Sequence, residues 1–224
     1  MHFHKIIYSE NCMGFRSLII NISSNLFKIK IMKKYLIYIA LICASFITAS
    51  NASAQKDSSG IYKTAADFSA KKLSLAINCK TETHKIKIND IFSQDHITVV
   101  HDGKSYDFKK ADIYGYKLCD GQTYRFSGNK DYQVMNPDEA LLLYKVEVMQ
   151  TKATAPKVYN YYFSRDAASP LQNLTKENLK AAFPTNHKFH DGLDADFKSN
   201  SELTAYDGFH KMYKVDHILM MSEK

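Results

Sequence analysis

Histidines and carboxylates gather toward the C-terminal end of this sequence. His187, His190, Asp191 and Asp194 follow one another at spacings of three and four, and Asp207, His210, Asp216 and His217 come after them. On a helix those spacings bring His187, His190, Asp191 and Asp194 near one face. Imidazole nitrogen and carboxylate oxygen suit zinc or another divalent cation, so the metal-ligating candidates are His187, His190, Asp191, Asp194 and His210. A metal-dependent hydrolase built on such a cluster is the enzymatic alternative for the chain. Against it, the sequence has no HExxH pair, and the same residues are ordinary on the wet side of an amphipathic helix.

Other reactive arrangements are missing. The run Asp191-Gly192-Leu193-Asp194-Ala195-Asp196 is acidic, but its acids are misplaced for an EF-hand loop, which needs oxygen donors at its third and fifth positions where Leu193 and Ala195 stand. There is no GxSxG elbow, Walker loop or GxGxxG turn, so acyl transfer by that elbow, nucleotide hydrolysis and dinucleotide binding lose support. No pair of acids is singled out for glycoside cleavage. No residue is assigned a catalytic role.

Tyr114, Tyr116, Tyr124, Tyr132, Tyr144, Tyr159, Tyr161 and Tyr162 crowd the middle of the chain. Aromatic rings with a polar tip can form a stacking platform, and Tyr114, Tyr116, Tyr124 and Tyr161 are the candidate binding surface for a protein, peptide or glycan partner. Tyrosine is also a good strand former, half buried with its hydroxyl in water, and the same pattern arises without any ligand.

The elements that must position these residues are strands first and helices last. Ile61 to Phe68 opens extended and then turns helical, with Thr64 as cap. Leu73, Leu75 and Ile77 alternate on one strand face, and Ile86 and Ile88 repeat the pattern. Asp102-Gly103 and Asp120-Gly121 are two-residue hairpin turns, and Gly128-Asn129 is a third. The first sets Val99 opposite Tyr106; the second sets Lys117 opposite Tyr124 and Gly115 opposite Phe126. Leu141 to Val148 and Lys157 to Ser164 add two strands, joined by a polar linker from Met149 to Pro156. After Pro170, Thr175 caps a helix that Pro184 stops, and Asn186 caps a second with Phe189, Leu193 and Phe197 as its stripe. Leu203 to Met221 reads as a third helix. The expected fold is α+β: an antiparallel meander over about 73–164, then two or three helices over about 175–221.

The beginning of the chain sets its address. Lys33 and Lys34, an apolar run from Tyr35 to Ile47, and the small exit Ala52-Ser53-Ala54 have the order of a secretory signal peptide over residues 32–54, too short to span a bilayer comfortably. Residues 1–31 then read as an over-extended start, and the mature domain as Gln55 to Lys224, with its first residues to Gly60 irregular. The net charge of +7 is mostly this leader: six of 30 basic and one of 23 acidic residues precede Gln55, which leaves 24 and 22. The remaining chain has two arginines and no concentrated basic patch, so no nucleic-acid partner is expected, and no membrane span after cleavage. Export leaves Cys79 and Cys119, most simply a disulfide in an oxidising periplasmic or extracellular compartment. The competing arrangement, a thiol nucleophile paired with a histidine such as His84, lacks a Cys-His signature.

The stretches NCKTETHKIKIND, DIYGYKLCDGQTYRF and LTKENLKAAFPTNHKFHDGL resemble patterns of uncharacterised exported proteins of Bacteroidota-type bacteria. The resemblance covers most of the mature chain and implies no assigned activity. The expectation from sequence is therefore an exported, non-catalytic binding or envelope-associated accessory module.

Overall fold

Strand β1 (Ser58–Tyr62), where an irregular start to Gly60 was expected, is almost wholly buried despite its two serines because it lies inside a sheet. The computed structural model describes residues 57–82, 85–88, 95–148, 150 and 156–224. Residues 1–56, which include the expected signal peptide, lie outside those residues, as do His84 and most of the Met149–Pro156 linker. Residues 54–224 form one compact unit. Among the described residues no helix is long and apolar enough to cross a membrane.

The sequence turns helical after β1 as its residues dictate. Thr64 accepts from the Asp67 N–H while the Asp67 carboxylate reaches back to Thr64, a capping box that starts α1 (Ala65–Ser69). The chain then forms β2 (Ser74–Asn78), β3 (Lys85–Lys87), β4 (His96–His101), β5 (Lys104–Lys109), β6 (Gly115–Lys117), β7 (Thr123–Ser127), β8 (Lys130–Val134), β9 (Leu142–Val148), β10 (Val158–Ser164) and β11 (Gln172–Asn173). Eight of these make one antiparallel sheet in the order β11-β10-β9-β8-β7-β6-β1-β2. Strands β3, β4 and β5 form a separate sheet. The expected single meander over 73–164 thus holds only from β6 onward. It fails before that because β1 inserts between β2 and β6, and β3–β5 leave for their own sheet.

The turn chemistry explains which registers were legible. Asp102 and Gly103 both take positive φ, and the β4–β5 pairing sets Val99 opposite Tyr106 and Ile97 opposite Phe108 as expected. Gly128-Asn129 likewise closes β7 on β8, with Ser127 opposite Lys130. The β6–β7 turn differs: Leu118 N–H bonds the Gln122 carbonyl, so the loop is Cys119-Asp120-Gly121. That extra residue shifts the register by one, and Tyr116 faces Tyr124 while Gly115 faces Arg125. Phe126 therefore does not cover Gly115. Leu75 also departs from expectation, since its φ of 48° and an irregular β1–β2 register send Leu73 and Leu75 to different core clusters.

Helices α2 (Lys176–Ala182) and α3 (His187–Asp196) start at Thr175 and Asn186, whose side chains accept from Asn178 and Phe189 N–H groups. The third expected helix is only partly one. Leu203 ends up in a short 3-10 turn (Asn200–Thr204), then β12 (Tyr206–Asp207) and β13 (Met212–Tyr213) form a hairpin before α4 (Lys214–Ser222). Asp207 breaks the helix there: its Oδ1 takes the N–H groups of Phe209 and His210 for a turn, and Lys211 sits at a φ of 56°.

The helices pack on the large sheet. Phe189, Leu193 and Phe197, all essentially fully buried, meet Leu143 and Phe163 of β9 and β10, with Leu203, Val215 and Leu219 completing the cluster. Burial of each such side chain contributes roughly 1.5–3 kcal/mol. The small sheet contributes Ile97 and Val99 to a second cluster with Ile61, Tyr116 and Phe126. Register places Ile61, Tyr116, Tyr124, Gln133, Lys145 and Tyr161 in one row on one face. Helices and small sheet therefore cover opposite ends of the same face, and the strip between them is polar. On the other face, Tyr62, Tyr132, Val134, Leu142, Tyr144 and Tyr162 pack with α1 and the loop before β11.

Cys79 and Cys119 are joined, with their Cα atoms 5.6 Å apart. The bridge ties the end of edge strand β2 to the β6–β7 turn.

Candidate functional site: a polar cleft on the sheet and a separate Asp-His-His cluster

The polar strip between the two core clusters holds a cleft of about 520 Å³, within the size range of ligand sites, ~300–1,000 Å³. Strand alternation builds it. In β9 the apolar Leu142 and Tyr144 point to one face, so Lys145 and Glu147 share the other, and in β10 Tyr159 faces Glu147 across the pairing. Asp131 and Gln133 of β8 and Tyr124 of β7 continue the same lining, with Gln122 and Lys157 at its rim.

The rings in the cleft are anchored. Tyr124 stacks on Tyr116 with centroids 4.8 Å apart and planes 12° apart, and its hydroxyl donates to Gln122 Oε1 at 2.5 Å. Burial and then the nearby Asp131 and Asp120 carboxylates raise the pKa of Tyr124, so it stays a neutral donor. Tyr116, fully buried, donates its hydroxyl to Asp131 Oδ2 at 2.7 Å and so aims that carboxylate. Lys145 Nζ stands 5.0 Å from the Tyr159 ring centroid. Lys157 pairs with Glu147 at 2.8 Å, a hydrogen bond that raises the pKa of the ammonium. Two carboxylates and two ammonium groups balance, so the lining carries no net charge.

Of the four tyrosines expected at a binding surface, only Tyr124 lines the cleft. Tyr116 supports it from below. Tyr114 lies in the cluster on the opposite face, 4.9 Å from the Phe68 ring and under the Arg125 guanidinium at 5.2 Å. Tyr161 is half-buried against the helical cluster. Sequence reasoning missed Lys145, Glu147, Asp131 and Gln133. The signal was present: the first half of β9 is apolar at every position, whereas Lys145 and Glu147 alternate with Tyr144 and Val146.

The expected metal-ligating residues do not converge as a set, although the His187 and His190 rings lie 5.8 Å apart. His190 directs Nε2 at the carbonyls of Lys180 (3.2 Å) and Phe183 (2.9 Å), where it must donate, and so caps the end of α2. Asp194 is held by Lys180 at 2.6 Å and Lys176 at 3.5 Å, and this pairing lowers its pKa. His187 and Asp191 are exposed on α3. His210 belongs to the β12–β13 turn, where it meets Asp207 and His217 instead. The donor atoms of Asp207, His210 and His217 lie within 4.8 Å of one another. Asp207 Oδ2 and His210 Nδ1 are 2.7 Å apart, and the His210 and His217 rings stack with centroids at 3.9 Å. Asp207 is held down to about 2 by the His210 hydrogen bond and the turn N–H groups. It is thus a fixed anion at any ordinary pH.

Comparison with family models, curated proteins and solved structures gives no match. The side-chain geometry alone therefore carries the functional argument.

Proposed function

We infer that the protein is an exported binding module whose cleft takes a neutral, hydroxyl-rich ligand, an oligosaccharide in chemical class. The carrying observation is the composition of the cleft: two tyrosines and two glutamines interleaved with charges that cancel. A charge-balanced lining gives no advantage to a polyanion or polycation. It offers donors and acceptors at close spacing, which a sugar's hydroxyls can satisfy, and ring faces for its C–H surface. The supports of the cleft are themselves hydrogen-bonded, so its polar groups are held in place before a ligand arrives. Export is supported by the signal-like leader and by the Cys79–Cys119 bridge, which favours an oxidising compartment.

Titration of the purified protein against a panel of neutral oligosaccharides tests the reading. Tyr159→Ala and Gln133→Ala should each weaken binding by about tenfold or more, and Phe209→Ala, a solvent-exposed ring on the β12–β13 turn, should not. A panel without a binder, or binding that survives both cleft substitutions, would refute it.

A further inference from the structure

The Asp207, His210 and His217 cluster lies outside the cleft lining and stands on separate observations. We propose that these three side chains form a binding site for a divalent cation of the zinc class, with a coordination position left open to solvent.

The site is assembled by two neighbouring elements. Asp207 ends β12, His210 sits in the four-residue turn that follows, and His217 is in the first half of α4. Asp207 does two jobs with its two oxygens. Oδ1 accepts the N–H groups of Phe209 (2.8 Å) and His210 (3.1 Å), which fixes the turn. Oδ2 faces His210 Nδ1. A carboxylate pinned in this way costs little further entropy when it takes a cation, because its rotamer is already set.

The stacked imidazoles point the same way. Rings 3.9 Å apart and 21° from parallel bring imidazole nitrogens of a turn and of α4 side by side. Neutral imidazole is the form that binds a metal. Two imidazole nitrogens and one carboxylate oxygen are borderline ligands, matched to zinc and its neighbours rather than to calcium or magnesium, which take oxygen shells.

The observed geometry needs only a small opening. Zinc bonds of about 2.0–2.1 Å at tetrahedral angles place donor atoms about 3.3 Å apart. The Asp207–His210 separation of 2.7 Å must widen, and the outer limit of 4.8 Å must shrink. The cation takes the place of the proton shared by Asp207 and His210 Nδ1, and that imidazole moves its proton to Nε2. Three protein ligands with a solvent-facing side are the composition of sites where the metal acts on bound water, not of closed structural sites. His210 is exposed, and Phe209 beside it, with ring centroids 4.9 Å apart, is 88 % exposed, which gives the open side an apolar lip.

The test is a calorimetric titration of the untagged, chelator-stripped full chain with zinc chloride, paired with cobalt(II) substitution read by visible absorption. One equivalent of zinc should bind, and cobalt should give the absorption of a low-coordinate nitrogen–oxygen site. His217→Ala and Asp207→Asn should each weaken zinc by about tenfold or more and abolish the cobalt band. His187→Ala, an exposed histidine of α3, should change neither. Should His217→Ala fail to give the wild-type thermal transition, His210→Asn replaces it, since His210 lies in an exposed turn. Absence of stoichiometric zinc, or zinc and cobalt signals that persist through the cluster variants, would overturn the proposal.

Discussion

A carboxylate with one hydrogen bond and almost no water around it is costly as an anion, and Asp216 is in that position. It is 5 % exposed, its Oδ2 accepts from Asn136 Nδ2 at 2.7 Å, and its Oδ1 makes no hydrogen bond. Asn136 in turn donates to the Leu141 carbonyl and accepts from the Leu143 N–H, so α4 is tied through one amide to the β8–β9 connection. Burial pushes the Asp216 pKa from the ordinary 3.8 up to about 7; the Asn136 hydrogen bond works against the rise and Glu139 adds to it. The folded value lies above the unfolded one, so the folded protein keeps a proton that the unfolded chain releases. The resulting stability is complete below pH about 4 and is lost as pH rises through about 7. Asp216→Asn removes this dependence while leaving an acceptor for Asn136. Denaturant unfolding across that window should show the wild type losing on the order of 4 kcal/mol relative to Asp216→Asn. Parallel profiles for the two proteins would mean that Asp216 ionises normally.

At the scale of elements, local rules succeeded wherever one residue type dominated the outcome. Thr175, Asn186 and Pro184 set the helix ends, and the stripe Phe189, Leu193 and Phe197 is the buried face of α3. Asp102-Gly103 fixed a register because both residues could adopt positive φ. The β6–β7 hairpin was read one residue out because Asp-Gly also suits a three-residue loop, in which only the glycine is left-handed. Gly121 alone has positive φ there, at 87°. The helix expected over 203–221 was read from apolar spacing, and that spacing cannot see Asp207 capturing its own following N–H groups. Gly115 offers a direct check on the corrected register. A Cβ at Gly115 would lie 1.9 Å from the Tyr124 carbonyl oxygen, whereas one at Gly208 meets nothing within 4 Å. Gly115→Ala should therefore cost about 1–3 kcal/mol or more of unfolding free energy, against backbone that cannot move aside. Gly208→Ala should be near neutral by the same chemical-denaturation measurement. Equal effects would restore the two-residue turn.

For the whole molecule, the Cys79–Cys119 bridge closes a loop with a sequence separation of 40 that contains the entire small sheet. Among the described residues strand β2 is an edge that pairs with β1, and the bridge ties its end to the β6–β7 turn. Constraining the unfolded chain over that loop is worth about 4 kcal/mol in the entropy model, and native bridges commonly deliver about 2–4. Replacement of both cysteines by alanine should lower the thermal transition, and the wild type should fall to the same value under reducing conditions. An unchanged transition would show that β2 and the small sheet hold without the bridge.

The sequence by itself determined what depends on neighbours along the chain: the helix caps and stops, the two-residue turns and the sheet-then-helix order, and it singled out Cys79 and Cys119 as a pair. These rest on φ preferences, capping chemistry and side-chain period, all of which act over a few residues. The tertiary structure decided what depends on residues far apart. It inserted β1 between β2 and β6, sent β3–β5 into a second sheet, and left a polar strip between two apolar ends of one face. It also turned His190 into a cap for α2 and brought His217 of α4 onto His210 of a turn. Identity and spacing specify what a side chain can do, but only the packing of distant elements specifies which partner it meets.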